Sequence, residues 1–117
     1  MKKKIIITAT VAIIIIVFLT FTFFNKQAPQ EYENFAKCLT TNGMSMGGAI
    51  WCSHCNSQKN MFGNAFEYID YHECTIDNWC EEKNIQGYPT WIDKDNNLYP
   101  GEQDFNNLAE ISGCTEP

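Results

Sequence analysis

Between Ile5 and Phe24 the chain runs for 20 residues without a charge, directly after Lys2, Lys3 and Lys4. At about 1.5 Å of rise per residue, a helix of that length reaches across the roughly 30 Å hydrocarbon core of a bilayer. A cleaved secretory leader is the alternative, but its apolar region usually covers only about 7–15 residues and ends at a small-x-small site. Here the run closes on the bulky Phe21 to Phe24, and Asn25-Lys26-Gln27-Ala28 is a poor cleavage context. The segment therefore reads as an uncleaved signal-anchor. Residues 1–4 form a basic cytoplasmic end, 5–24 a single transmembrane helix, and 25–30 a linker broken by Pro29. Residues 31–117 remain for one small domain on the extracytoplasmic side of the cell membrane.

Charge divides along the same line. Lys2, Lys3, Lys4 and Lys26 flank the apolar run, whereas all 14 acidic residues follow it, so the exported part carries 4 lysines against 14 carboxylates, a balance of −10. Such a domain repels phosphate backbones, which argues against nucleic acid as a partner. Six cysteines in a domain of this size point to an oxidising compartment.

Within the domain, Tyr32, Phe35, Ala36 and Leu39 recur at helical spacing and predict a first helix ended by Asn42-Gly43. Met44 to Trp51 suits a buried strand. Cys55, Met61, Phe62, Ala65, Phe66 and Ile69 predict a second amphipathic helix of about four turns. Asp70 to Cys74 reads as a strand and Asp77 to Asn84 as a short helix capped by Thr75 or Asp77. Two strands, Thr90 to Asp93 and Asn97 to Tyr99, follow, joined by a polar turn. A last helix, capped by Asp104 and ended by Gly113, presents Phe105, Leu108, Ala109 and Ile111. This order predicts an α/β domain, a small mixed sheet flanked by helices.

The chemistry lies where the first strand hands over to a helix, at Trp51-Cys52-Ser53-His54-Cys55. Unsatisfied N–H groups and the positive end of a helix dipole stabilise a thiolate there and lower its pKa from about 8.5 to as little as ~3.5–7. Cys52 is then the nucleophile and Cys55 the resolving thiol, with exchange passing through a mixed disulfide. His54 between them further favours the Cys52 thiolate, and a more stable thiolate is a better leaving group, which tilts the pair toward donating disulfides. The competing readings are a purely structural bridge and half of a zinc site with Cys74 and Cys80. Zinc ribbons usually bring a second close pair, and five residues separate Cys74 from Cys80. No metal is expected, and no cofactor beyond the Cys52–Cys55 disulfide. Gly87-Tyr88-Pro89-Thr90, with Pro89 34 residues beyond Cys55, stands at a predicted strand start.

Together, Trp51-Cys52-Ser53-His54-Cys55 and Gly87-Tyr88-Pro89-Thr90 resemble the thioredoxin superfamily. More narrowly, five runs are similar to the thioredoxin-like domain fused to, or partnered with, prokaryotic and plant vitamin K epoxide reductase homologues. They are Phe35-Ala36-Lys37-Cys38-Leu39, Met61-Phe62-Gly63, Tyr71-His72-Glu73-Cys74, Tyr88-Pro89-Thr90-Trp91, and Leu108-Ala109 with Ser112-Gly113-Cys114. The resemblance covers about residues 32–114. It implies a thioredoxin-like fold, Cys52 as an exposed nucleophile with Cys55 as its partner, and Pro89 as a cis-proline facing the pair. Tyr88 would offer its backbone to a substrate peptide bound as an added strand. Two departures stand out. The quinone-reducing membrane domain of the fusions is not in this sequence, so a separate quinone-linked partner of the vitamin K epoxide reductase type would reoxidise the pair. Thioredoxins proper carry a buried Asp six residues ahead of the first Cys, where this chain has Met46.

Four cysteines remain. Cys74 and Cys80 bracket a strand-to-helix turn, while Cys38 lies in the first helix and Cys114 after the last, so the favoured structural bonds are 74–80 and 38–114. Cys74–Cys80 is alternatively an electron relay to the active pair. His72 reads as a surface strand residue without a partner, Trp79 and Trp91 as core or rim aromatics, and Trp51 as a shield over one side of the sulfurs. The function expected from all this is a membrane-anchored thiol–disulfide oxidoreductase acting on exported cysteine-containing proteins. The alternatives are a thiol reductase of the same build and a non-enzymatic, disulfide-stapled binding or metal-carrying module.

Overall fold

A computed structural model of the chain describes residues 1–24 and 28–117. Asn25, Lys26 and Gln27, half of the expected linker, lie outside the described residues. Helix α1 spans Lys2–Phe24. Its stretch Lys2–Thr22, of mean hydropathy 2.8 and with none of it buried, is long and apolar enough to cross a membrane.

The rest forms a four-stranded mixed sheet with helices around it. Its elements are α2 (Gln30–Thr41), β1 (Ser45–Gly48), α3 (Ser53–Phe62), a 3-10 segment (Gly63–Tyr68), β2 (Asp70–Glu73), α4 (Trp79–Glu82), β3 (Thr90–Ile92), β4 (Leu98–Pro100) and α5 (Phe105–Ser112). The strand order is β2-β1-β3-β4. Strands β1 and β2 are parallel, with Met46 opposite Tyr71 and Gly48 opposite Glu73. A parallel pair needs a crossover, which α3 and the 3-10 segment supply. The β1–β3 and β3–β4 pairs are antiparallel, and Met46 also faces Trp91.

Several expected elements differ from those observed. The strand expected over 44–51 stops at Gly48, because Cys52 N–H turns back to the Ala49 carbonyl at 3.0 Å and the chain bends out of the sheet. The four-turn helix expected from Cys55 to Ile69 breaks after Phe62. Gly63 there takes φ +56°, a left-handed backbone that ends an α-helix. The helix expected over 77–84 is a single turn, ended by Asn84 at φ +58°. Its first turn is served by Asp77, whose Oδ1 accepts from Trp79 N–H at 2.9 Å, whereas the Thr75 hydroxyl turns to Glu73. Strands β3 and β4 each sit one residue from their expected ends. Asp93 leaves the sheet because its carboxylate accepts from the N–H groups of Asp95 and Asn97, both at 2.9 Å.

The face of the sheet that carries Met46 and Trp91 packs against α2, α3 and α5. Phe62 is the hub of its aromatic cluster, 4.9 Å from Phe105 and 6.2 Å from both Phe35 and Trp91 between ring centres. Leu39, Met44 and Leu108 complete this core. Asp104 caps α5 by accepting from Asn107 N–H at 2.8 Å, and Gly113 ends it at φ +76°. A smaller cluster of Cys80, Ile85 and Ile92 covers the opposite face.

Candidate active site

Cys52 is the N-cap of α3, with extended backbone (φ −81°, ψ 115°), and its sulfur accepts from the Cys55 N–H at 3.1 Å. A thiolate released there meets a helix N-terminus through an N–H already aimed at it. Cys55 lies one turn on and is bonded to Cys52, with Cα atoms 5.2 Å apart. Cys52 keeps only 7% of its surface and Cys55 none. The expectation of an exposed nucleophile therefore needs correction: Cys52 is buried, with its sulfur turned to the Cys55 N–H in the first turn of α3.

Trp51 is 70% exposed and rests edge-on against Tyr88, with ring centres 5.9 Å apart. This contact ties Tyr88 to the residue just before Cys52; the Tyr88–Pro89 peptide is cis, and Pro89 is fully buried. Ile50, 73% exposed, stands beside Trp51.

His54 turns to a carboxylate. Its Nδ1 lies 2.5 Å from Glu102 Oε1, and the Ser57 hydroxyl donates to Glu102 Oε2 at 2.8 Å. These two bonds, His54's first, hold the Glu102 carboxyl below the ordinary range. A carboxylate thus sits against the first turn of α3, a partner that comes from a distant segment and left no sign near the motif.

Behind Cys55 lies a second polar group. Met46, Gly48, Tyr71 and Glu73 alternate on β1 and β2 and share one face of the sheet. A Cβ on Gly48 would stand 3.1 Å from the Cys55 sulfur and 3.2 Å from the Tyr71 hydroxyl, so both groups border the same methyl-sized space. The Tyr71 hydroxyl donates to Glu73 Oε2 at 2.8 Å. Glu73 Oε1 accepts from Ile50 N–H at 3.2 Å and from the Thr75 hydroxyl at 2.7 Å. Burial pushes the Glu73 carboxyl up, but the bonds from Thr75, Tyr71 and Ile50 outweigh it and hold the group below the ordinary carboxylate range. Burial, reinforced by the bond to Glu73, raises Tyr71. Lys59 Nζ lies 3.8 Å from the Tyr71 ring centre, and burial lowers its pKa against a raising pull from Glu73.

Cysteines 74 and 80 are bonded to each other, as are 38 and 114, with Cα separations of 5.4 and 6.0 Å. A Cβ on Gly47 would meet both sulfurs of the 74–80 bond at 3.2 Å. Gly47 and Gly48 are successive strand residues and face opposite ways. The 74–80 disulfide and the Cys52–Cys55 disulfide therefore lie on opposite sides of β1. His72, expected to lack a partner, stacks on Trp79 at 3.8 Å, with Asp70 and Asp77 at 3.4 and 3.5 Å. The one-turn helix α4 folds back over β2 and brings them together. Trp91 is fully buried.

Among curated proteins the chain is similar to the thiol-disulfide oxidoreductase LTO1 of Arabidopsis thaliana. The two are 42% identical over 88 residues, which cover 67% of this chain and 23% of the relative. The chain thus spans about a quarter of the length of that relative. No family model matches it.

Several site residues escaped the sequence reading. Gln58 is fully buried in α3, where its Oε1 accepts from Trp91 Nε1 at 3.1 Å and from Gln103 N–H at 2.7 Å. A signal existed, since Gln58 interrupts the apolar stripe of Cys55 and Phe62. The Gly47-Gly48 pair inside a strand was a signal of close approach. Tyr71 and Glu73, two apart on a strand, were a signal that they share a face.

Proposed function

We propose that this chain is a membrane-anchored thiol–disulfide oxidoreductase of the thioredoxin type, facing the extracytoplasmic side and exchanging disulfides with exported proteins. The observation that carries the reading is Cys52 at the N-cap of α3, bonded to Cys55 and accepting its N–H. When the Cys52 thiolate attacks a substrate disulfide, the Cys55 thiolate resolves the mixed disulfide and re-forms the Cys52–Cys55 bond. When a substrate thiolate attacks the Cys52 sulfur, Cys55 leaves as a thiolate and a second substrate thiolate resolves the mixed disulfide, releasing Cys52. Support comes from the similarity to a thiol-disulfide oxidoreductase and from the mixed sheet with helices on both sides. A substrate segment would add as a strand beside Tyr88 and Pro89, with Trp51 and Ile50 as its apolar rim. Helix α1 supports the anchor, and Lys2, Lys3 and Lys4 support a cytoplasmic N-terminus. Reoxidation is assigned to a quinone-linked membrane partner of the vitamin K epoxide reductase type, on the strength of the motif resemblance. Cys38–Cys114 and Cys74–Cys80 act as staples.

The full chain in detergent tests this directly. Cys52→Ser should lose all exchange and Cys55→Ser should accumulate mixed disulfides; wild-type exchange in Cys52→Ser sinks the proposal. One observation favours the reverse direction of flow: the Glu102 carboxylate, held against His54 and Ser57, places negative charge beside the first turn of α3, which opposes a Cys52 thiolate. A reduction potential near about −270 mV assigns the protein to reduction, and one nearer about −120 mV to disulfide donation.

A further inference from the structure

Cys55 has no exposed surface, yet it must lose a proton each time it resolves a mixed disulfide and regain one in the reverse reaction. The face of the sheet beneath it offers one hydroxyl and one carboxylate in series. Gly48 supplies no side chain, and the space it leaves is bordered by the Cys55 sulfur and the Tyr71 hydroxyl, at 3.1 and 3.2 Å from where a Cβ would stand. The Tyr71 hydroxyl already spends its proton on Glu73 Oε2, so its oxygen lone pairs are free to accept from a thiol. Glu73 in turn reaches the surface through the exposed Thr75, whose hydroxyl donates to its other oxygen. Met46, on the strand that leads to the pair, is apolar and buried, and Tyr71 is the residue paired with it on the neighbouring strand.

We propose that Tyr71 and Glu73 carry the proton of Cys55 between the buried sulfur and solvent, an assignment that rests on the oxidoreductase reading above. In the resolving step the Cys55 S–H proton passes to the Tyr71 oxygen as the Tyr71 O–H proton passes to Glu73. The Cys55 thiolate attacks the Cys52 sulfur, the Cys52–Cys55 bond forms, and the substrate leaves as a thiolate. Two electrons have then passed from the cysteine pair to the substrate. When a substrate thiolate instead opens the Cys52–Cys55 bond, Cys55 leaves as a thiolate and collects its proton by the same path. The four hydrogen bonds on Glu73 keep it ionised and able to accept, and they make it a weak base, so the proton moves on to water at the Thr75 edge. The other charged groups facing this path are Lys59, above the Tyr71 ring, and Asp77.

The test uses the full chain in detergent with the Cys52–Cys55 bond reduced and the other two disulfides retained. A symmetrical nitroaryl disulfide releases one coloured thiolate when Cys52 attacks and a second when Cys55 resolves. In Tyr71→Phe and in Glu73→Gln the first release should keep its wild-type rate. The second should slow by about 100-fold near about pH 7, the lower end of what a positioned proton transfer contributes. The deficit should shrink as rising pH ionises Cys55 without help, and Glu73→Asp should restore part of the rate. A second release with wild-type rate and pH profile in both variants overturns the relay and leaves the oxidoreductase reading standing. So does a first release slowed in step with the second, the mark of a purely structural effect. Should one variant not fold, the other decides. Absence of any first release from the wild-type chain overturns both.

Discussion

Gly47 and Gly48 lack side chains, and sulfur occupies the space on both sides of β1. On the Gly48 side the neighbours are the Cys55 sulfur at 3.1 Å and the Tyr71 ring at 3.0 Å from an added Cβ, neither of which can move without disturbing the pair or its hydroxyl neighbour. Gly48→Ala is therefore expected to destabilise the oxidised protein by about 1–3 kcal/mol, as overpacking of a filled interior does, in denaturant titration. A midpoint equal to wild type would show that the strand yields. Gln58 makes the complementary case of a buried polar group that is fully used. Gln58→Leu leaves the Trp91 and Gln103 N–H donors unpaired and should cost about 1–3 kcal/mol for each, read by the same titration.

At the scale of elements, Gly63 ends α3 at φ +56° and ψ −135°, a conformation that L side chains rarely adopt, with nothing near its missing Cβ. The cost of Gly63→Ala is then backbone strain alone, about 1–2 kcal/mol, measurable as a lower unfolding midpoint with exchange chemistry intact. The β3–β4 turn is organised by Asp93. Burial raises its carboxyl, but the bonds from Asn97, Tyr99 and Asp95 outweigh this and bring it to about 2. A carboxyl depressed in the folded state contributes stability that is fully present above its unfolded pKa. That stability is lost as pH falls through the folded one, so the window is about pH 4 down to about pH 2. After allowance for solvent screening the contribution is about 1 kcal/mol. Asp93→Asn should lose about that much near neutrality and show a flatter acid limb in unfolding followed against pH.

Across the whole molecule, the sheet sets Cys74–Cys80 apart from the other two disulfides, which share the core on its opposite face. Cys38–Cys114 closes a separation of 76 residues and joins α2 to the end of α5. Its removal as Cys38→Ser with Cys114→Ser should cost about 2–5 kcal/mol and lower the melting temperature. Cys74→Ser with Cys80→Ser should likewise destabilise yet keep exchange at Cys52, since β1 stands between the two bonds. Loss of exchange in that folded double variant would instead make the 74–80 bond part of the electron path. Much of this architecture was legible locally. The stripe of Phe35, Ala36 and Leu39, the Asp104 cap, the Gly113 stop, the uncharged run after Lys4 and the two-residue gap between Cys52 and Cys55 are each written within a few adjacent positions. Short-range sterics, capping and hydrophobic period act at that range. The left-handed turn at Gly63 was also local, but it was hidden by an apolar period that continues through it. The meetings of Glu102 with His54, of Gln58 with Trp91, and of Tyr71 with Cys55 across the space at Gly48 join residues far apart in the chain. No local rule encodes them. The sequence by itself determined the apolar run, the first and last helices with the Asp104 cap and the Gly113 stop, and the spacing of Cys52 and Cys55. Only the tertiary structure decided that Glu102 stands against His54 and Glu73 against Ile50, because that depends on how a parallel crossover lays α3 over β1 and β2.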